Sequence, residues 1–238
     1  MADKPNKLTE KFIFLGEGAA DNALLHKLCE KRGLPAFDYP FPDNLRDKKG
    51  KTIGGKDRFG EMLLDLEPVI SQQRRPRGIL IAVDCGDDWE KSFKHVAEQV
   101  VGTEFYPRPQ RPLEPVSANT EQFPHLPSLV IVMVPGVGRT GGMETLCVEV
   151  SRDKHPETAA CLEGYLACLK DKSVGISGWG AEKQGKAEMQ CLIATTHQDD
   201  PNKSGRFAIA AGLIDCSHAA FNTLADDLRA AVKALSGG

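Results

Sequence analysis

The sequence predicts an α/β fold, in which a parallel sheet of about four strands is flanked by helices and followed by a helical C-terminal extension. Residues 79–83 and 129–134 are continuously apolar and rich in β-branched side chains, which is typical of strands buried on both faces of a parallel sheet. Apolar residues at helical spacing surround these two segments. We therefore expect an α/β domain over residues 1–152 and a helical extension packed on it over residues 153–238.

The size and composition of the chain fit one elaborated globular domain. It has 238 residues, of which 41% are hydrophobic and 26% charged. The longest apolar run, residues 129–134, is far shorter than the roughly 20 residues that a membrane helix needs. The first residues are polar and lack a secretory signal, which predicts a cytoplasmic protein that does not contact membranes. A net charge of −3 argues against binding nucleic acid through bulk charge.

The first half of the chain alternates between short apolar strands and amphipathic helices. Residues 12–15 form a strand candidate that ends at glycine, and leucines at helical spacing follow over residues 24–28. A second helix is indicated by apolar residues at positions i, i+3, i+4, i+7 and i+11, namely Phe59, Met62, Leu63, Leu66 and Ile70.

The second half begins with the strand over residues 79–83, after which Asp87 or Asp88 can cap a helix over residues 89–100. Six prolines between Pro107 and Pro127 exclude a central strand and predict a surface excursion, with an active-site flap as one interpretation. The glycine-rich turn after the next strand lacks the Lys-Ser/Thr of a nucleotide-binding P-loop. Beyond residue 157 every periodic segment is helical.

Acidic residues follow three of the predicted strands. In an open parallel sheet, ligands bind beyond the carboxyl ends of the strands, so these acids are expected to converge. Gathered carboxylates repel each other unless a cation lies among them, and oxygen ligands suit Mg²⁺ and Mn²⁺. The alternative is that each acid caps a helix and complements its dipole. The candidate metal ligands are Glu17, Asp84, Asp87, Asp88 and Glu144.

Two strand ends carry distinctive residues: Gly16-Glu17-Gly18-Ala19-Ala20-Asp21 follows the first strand, and Asp84 directly follows the strand over residues 79–83. They resemble the Glu-Gly-x-x-Asp opening and the first position of the Asp-x-Asp of the Toprim family, which occurs in topoisomerases, primases and OLD nucleases. Gly54-Gly55-Lys56 and Gly141-Gly142-Met143-Glu144 further resemble a small stand-alone group related to OLD nucleases, formerly classed as a domain of unknown function. The resemblance covers residues 10–150 and implies a Toprim-like sheet.

The same resemblance implies a Mg²⁺- or Mn²⁺-dependent nuclease acting on DNA or on structured RNA such as tRNA. Glu17 would bridge the metal or transfer a proton, Asp84 would bind the ion directly and Glu144 would complete the site. Lys56 would neutralise the developing oxyanion, although an exposed loop lysine is the alternative. Asp21 would support the ligands or begin the helix. The resemblance to OLD-related nucleases also implies that a separate ABC-type ATPase is the partner of this protein, and that the protein acts in anti-phage defence.

One departure from the Toprim pattern concerns Gly86, which stands where the second carboxylate of Asp-x-Asp belongs. Asp87 or Asp88 would have to supply that oxygen, and one bound ion is expected rather than two. A degenerate module that binds nucleic acid or docks on a partner ATPase is therefore the alternative function.

Basic residues cluster around the Gly54-Gly55 turn and are candidates for phosphate contacts. A short charged run is also typical of a solvated loop, and aromatic residues are not regularly interleaved with this one. The candidates for nucleic-acid binding are Lys48, Lys49, Lys51 and Arg58.

Overall fold

A computed structural model describes residues 8–41, 45–46, 52–53, 55–73, 76–172, 178–196 and 204–237. Four strands form one sheet with the order β2-β1-β5-β6, and every neighbouring pair is parallel. Two further strands form a small antiparallel ribbon. The strands are β1 (Phe12–Leu15), β2 (Phe37–Asp38), β3 (Leu45–Arg46), β4 (Thr52–Ile53), β5 (Gly78–Asp84) and β6 (Ser128–Val134).

The helices follow the predicted alternation, so the predicted α/β fold with a parallel sheet of four strands is confirmed. They are α1 (Ala19–Arg32), α2 (Phe59–Gln72), α3 (Trp89–Gly102), α4 (Met143–Lys154), α5 (Pro156–Asp171), α6 (Ala181–Thr196), α7 (Gly205–Ala210) and α8 (Asn222–Ser236). Single 3₁₀ turns precede α2 and α8, at Lys56–Arg58 and Ala219–Phe221. Sequence analysis missed β2, β3 and β4, because two residues are too few to show a period.

The sheet is buried on both faces, which explains why β5 and β6 are continuously apolar. Leu80 and Val130 belong to one hydrophobic cluster, together with α1, α4, α6, α7 and α8. Ile79 and Ile131 belong to the other, together with α2, α3 and part of the segment between α3 and β6. Each large aliphatic side chain removed from water contributes about 1.5–3 kcal/mol, so alternate strand residues stabilise opposite layers.

The C-terminal helices are part of the first of these layers. Leu192 of α6 and Leu228 of α8 lie in the same cluster as the strand residues Leu80 and Val130. Helix α8 packs directly on β5 and β6. The described helices of the C-terminal region therefore complete the cover of one face of the sheet.

The proline-rich segment lies along the outer edge of β6. The amide of Leu113 donates to the carbonyl of Ile131 at 2.9 Å, and Val116 and Leu129 exchange two backbone hydrogen bonds of 2.8 Å each. Tyr106 is buried at one end of this segment, and its hydroxyl donates to the carbonyl of Pro127. The segment covers a strand edge that would otherwise expose unpaired amides.

Among the helices of the described residues, none has the length and apolar character needed to span a bilayer.

The contact between β5 and α8 depends on Gly78. A β-carbon on this residue would lie 2.8 Å from Cβ and 2.6 Å from Cδ1 of Leu235. We expect Gly78→Ala to lower the free energy of unfolding by about 1–3 kcal/mol, because α8 must shift away from the sheet. Urea denaturation would measure the change. Gly102→Ala, at a position with no atom near the added carbon, is the control, and equal stability of both variants would contradict the close packing.

Candidate functional site

The carboxyl ends of β1 and β5 and the start of α4 surround an acidic cavity of about 420 Å³. Glu17 follows β1, Asp84 is the last residue of β5, and Glu144 lies in the first turn of α4. The structure thus brings three predicted ligands to one cavity, with Asp21 of α1 as a fourth carboxylate. Nothing from the proline-rich segment is among its lining residues, so that segment is not a flap over this site.

Asp84 is held in place by the start of α4. Its side chain is buried, and Oδ1 accepts a hydrogen bond of 3.3 Å from the amide of Met143. A β-carbon on Gly142 would lie only 2.4 Å from Oδ2 of Asp84, so glycine is needed for this approach. The Gly141-Gly142 pair therefore lets the helix begin directly against the carboxylate.

Glu17 is fixed to the same strand end. Its Oε1 accepts a hydrogen bond of 2.9 Å from the amide of Asp84. The carbonyl of Glu17 accepts a second bond, of 3.0 Å, from the amide of Gly55, just before the 3₁₀ turn. Glu17 thus joins β1, β5 and the loop that carries Lys56.

Burial raises the pKa values of three acids of the cavity, and neighbouring carboxylates add to the effect. Burial, followed by the charges of Asp21, Glu17 and Glu144, raises the pKa of Asp84 well above its usual value. Burial and then the charges of Glu144 and Glu17 raise the pKa of Asp21 to about 7. Burial also raises the pKa of Glu17, partly offset by the amide of Asp84. Packing therefore holds together a set of carboxylates that repel each other.

Lys186 of α6 supplies a positive charge at this cavity and was missed by sequence analysis. Its ammonium pairs with Glu182 at 2.6 Å. Burial lowers the pKa of Lys186, but the bond to Glu182 and the charges of Glu144, Glu182 and Asp84 raise it above its usual value. Within its own helix, this lysine looks like half of an ordinary i,i+4 pair. Arg206 of α7 also lines the cavity.

Lys56 lies beside the cavity. It begins the 3₁₀ turn and is partly buried rather than fully exposed. Its Nζ is 3.9 Å from the point where a β-carbon on Gly86 would lie, and its charge lowers the pKa of Glu17. The ammonium of Lys56 thus lies near the carboxylates, where the role of neutralising an oxyanion would require it.

Asp87 and Asp88 face away from the cavity and bind helix N-termini. Asp88 caps α3, where its Oδ1 accepts from the amide of Lys91 at 3.1 Å. Oδ1 of Asp87 accepts from the amide of Ala181, the first residue of α6, at 2.6 Å. Neither residue lines the acidic cavity. In this conformation they do not supply the carboxylate that Gly86 lacks.

The candidate nucleic-acid residues are only partly described. Lys48, Lys49 and Lys51 lie outside the described residues. Arg58 is buried, and its guanidinium pairs with Glu61 at 2.7 Å. With its side chain 11% exposed, Arg58 is oriented for packing and offers little surface to a phosphate.

The oxygen atoms that line the cavity are of the type that binds hard divalent cations. Carboxylate oxygens are the ligands that Mg²⁺ and Mn²⁺ prefer, and Glu17, Asp84 and Glu144 could provide them. Within the described part of the chain, however, no three His, Cys, Asp or Glu side chains are grouped closely enough to hold an ion.

The fold and the cavity define an α/β protein with an acidic site at the carboxyl edge of a parallel sheet. The model of the family described as "Protein of unknown function (DUF3226)" matches residues 11–233, and the chain belongs to this family. The match extends from β1 into α8, so sheet and C-terminal helices lie in one family unit. Neither the curated proteins nor the solved structures gave a match.

The raised pKa of Asp21 predicts a pH-dependent effect of Asp21→Asn. Between about pH 4 and pH 7 the folded protein keeps a proton that the unfolded chain has lost, so stability falls as pH rises through this range. Each pKa unit corresponds to about 1.4 kcal/mol. We expect Asp21→Asn to have little effect at pH 4 and to raise stability by at least about 1 kcal/mol at pH 8.

Urea denaturation at both pH values, with EDTA present, would measure this difference. Asp65→Asn, on the exposed face of α2, is the matched control and should show no such pH dependence. A wild-type protein no less stable than Asp21→Asn at pH 8 would contradict the raised pKa of Asp21.

Proposed function

We propose that this protein is a Mg²⁺- or Mn²⁺-dependent nuclease that hydrolyses phosphodiester bonds in DNA or in structured RNA such as tRNA. The observation that carries the proposal is the convergence of Glu17, Asp21, Asp84 and Glu144 on one cavity. Keeping four acids together costs folding free energy, and a bound cation would recover it. The resemblance of the strand-end motifs to Toprim nucleases supports the same function.

In this proposal the residues have distinct roles. Glu17, Asp84 and Glu144 would hold the ion, and a bound divalent cation can activate water and stabilise charge on a phosphodiester. Glu17, already fixed by the amide of Asp84, would accept the proton of the attacking water. Asp21 would adjust the charge of the ligands. Lys56 would stabilise the negative charge that grows on the phosphate oxygens.

Lys186 favours a second candidate function, a catalytically degenerate module that binds nucleic acid or a partner. Its positive charge lowers the pKa values of Glu17, Asp21 and Asp84, so it already acts as a counter-ion of the cluster. The missing carboxylate at Gly86 points in the same direction. Under this hypothesis Mn²⁺ binds no more tightly than to any acidic surface.

The biological setting belongs to the proposal as well. The Toprim resemblance supports a cytoplasmic anti-phage effector that acts with a separate ABC-type ATPase subunit. The glycine-rich turn of this chain lacks the lysine of a P-loop, so any ATP hydrolysis would be performed by the partner.

Substitution of Glu17 tests the nuclease function directly. Purified protein with Mn²⁺, alone or with its partner, is expected to cut nucleic acid, and Glu17→Gln should lower the rate by roughly 10²–10⁴-fold through loss of the proton acceptor. Gel assays on single-stranded DNA, duplex DNA and tRNA would measure cleavage. Glu121→Gln, at an exposed position of the proline-rich segment, is the matched control.

Two results would contradict the nuclease proposal. Cleavage by Glu17→Gln at the wild-type rate would place the chemistry elsewhere. No cleavage of any substrate, combined with no saturable Mn²⁺ binding in calorimetry, would favour the binding module.

Gly86→Asp tests whether the departure from Asp-x-Asp limits metal binding. Gly86 has φ of +60°, and an aspartate in this conformation costs about 1 kcal/mol. Its β-carbon would lie 3.9 Å from both Lys56 Nζ and Glu182 Oε2, so the new carboxylate is expected to pair with Lys56. We therefore predict lower thermal stability and no tighter binding of Mn²⁺.

Gly86→Asn is the control for the backbone conformation, since its side chain has the same shape as that of aspartate and carries no negative charge. Calorimetric titration with Mn²⁺ would compare the two variants. A marked gain in affinity specific to Gly86→Asp would show that the added carboxylate reaches the ion.

A further inference from the structure

A second cavity, of about 180 Å³, adjoins the acidic cavity between α1, α4, α6 and α7. We call it the apolar cavity, because five of its lining residues are Ala20, Met143, Cys147, Met189 and Ile209. Asp21, Glu144 and Lys186 line both cavities, so the two share a wall. A ligand with one apolar and one charged part could occupy both at once.

The walls of the apolar cavity suit a flat, polarisable group. Met143 and Met189 are 4% and 6% exposed, so both side chains are packed among the helices around the cavity. Thioether sulfurs make favourable contacts with aromatic rings, and methionine adapts to rings of different outline. The volume far exceeds the about 10–15 Å³ that one ordered water needs. The chemistry therefore favours an aromatic heterocycle over solvent.

The charged side of the shared wall suits the phosphate attached to such a ring. Lys186 lies at the boundary of the two cavities, and Arg206 lines the acidic one. Together with the divalent cation that the carboxylates would hold in the proposed function, these side chains would offset the charge of an anionic group. An aromatic base joined to a phosphate is a nucleotide.

We propose that the apolar cavity binds one unpaired base of the nucleic acid whose phosphodiester lies in the acidic cavity. This inference rests on the proposed nuclease function and adds a substrate class to it. A base that is stacked and paired in a duplex cannot enter a cavity between helices. The substrate is therefore single-stranded at the cleavage point, or has a base turned out of the helix.

Gly205 offers a way to fill the apolar cavity. It is the first residue of α7 and lines both cavities, and an added β-carbon would lie 3.0 Å from Cε of Met189. The tip of a methionine is flexible, so Gly205→Leu can be accommodated while its side chain takes up space in the cavity. Gly164→Leu, on the exposed side of α5 where an added carbon meets no atom, is the matched control.

Binding can be measured apart from cleavage. Fluorescence anisotropy in Ca²⁺ would compare a short single-stranded oligodeoxynucleotide with an abasic chain of the same length and with the matching duplex. We expect the wild-type protein and Gly164→Leu to prefer the single strand, and Gly205→Leu to bind it about tenfold more weakly. Met189→Ala, which removes one wall, should weaken binding of the single strand in the same way. It should leave binding of the abasic chain unchanged, because Met189 lines the apolar cavity and not the acidic one.

The outcomes separate this inference from the nuclease function. Equal affinity for the abasic chain and the natural strand, or an unchanged affinity in both Gly205→Leu and Met189→Ala, would overturn the base-binding cavity. In Mn²⁺, cleavage of the abasic chain and of the natural strand at equal rates would also overturn the base-binding cavity. It would leave the proposed nuclease function standing. Base-dependent binding without cleavage would support the cavity and contradict the nuclease.

Discussion

The site depends on the burial of one carboxylate, that of Asp84, at the carboxyl end of β5. The strand places it under the start of α4, where Gly142 leaves room for its oxygens and Met143 donates a hydrogen bond. The amide of the same residue binds Glu17. Three elements are thereby joined at one point, and a buried carboxyl group whose pKa is raised by burial and by its acidic neighbours becomes part of the fold. Buried groups with strongly shifted pKa values are typical of functional sites.

The C-terminal helices bring positive charge to the carboxylates around Asp84. Lys186 brings a positive charge to the acids from α6, and the start of α6 is tethered by Asp87. An aspartate expected to bind metal thus holds the helix that carries the lysine. Asp88 plays a similar part for α3. The acids beyond β5 therefore divide between a cluster at the cavity and supports for the helices around it.

The two adjoining cavities give the site two chemical characters. The acidic one gathers carboxylates and cations, as a metal-assisted reaction at a phosphate requires. The apolar one is walled by methionines, an isoleucine and a cysteine on helices that also cover the sheet. Because α6 and α7 contribute to both, a change in how these helices pack would alter charge and shape together.

The sequence by itself determined three of the four strands of the sheet and the convergence of the acids that follow them. Strands buried on both faces must be apolar throughout, and the carboxyl ends of parallel strands share an edge, so Glu17, Asp84 and Glu144 could be placed together. The direction in which a side chain points after the strand ends is decided by its neighbours. For Asp87 and Asp88 the sequence left both helix capping and metal binding open. Only the tertiary structure assigned Asp88 to the start of α3 and Asp87 to the start of α6. The packing of α6 and α7 beside the cavity could not be read from the sequence either. The pair Glu182–Lys186 has the same i,i+4 spacing on a solvated helix as it has beside a cavity.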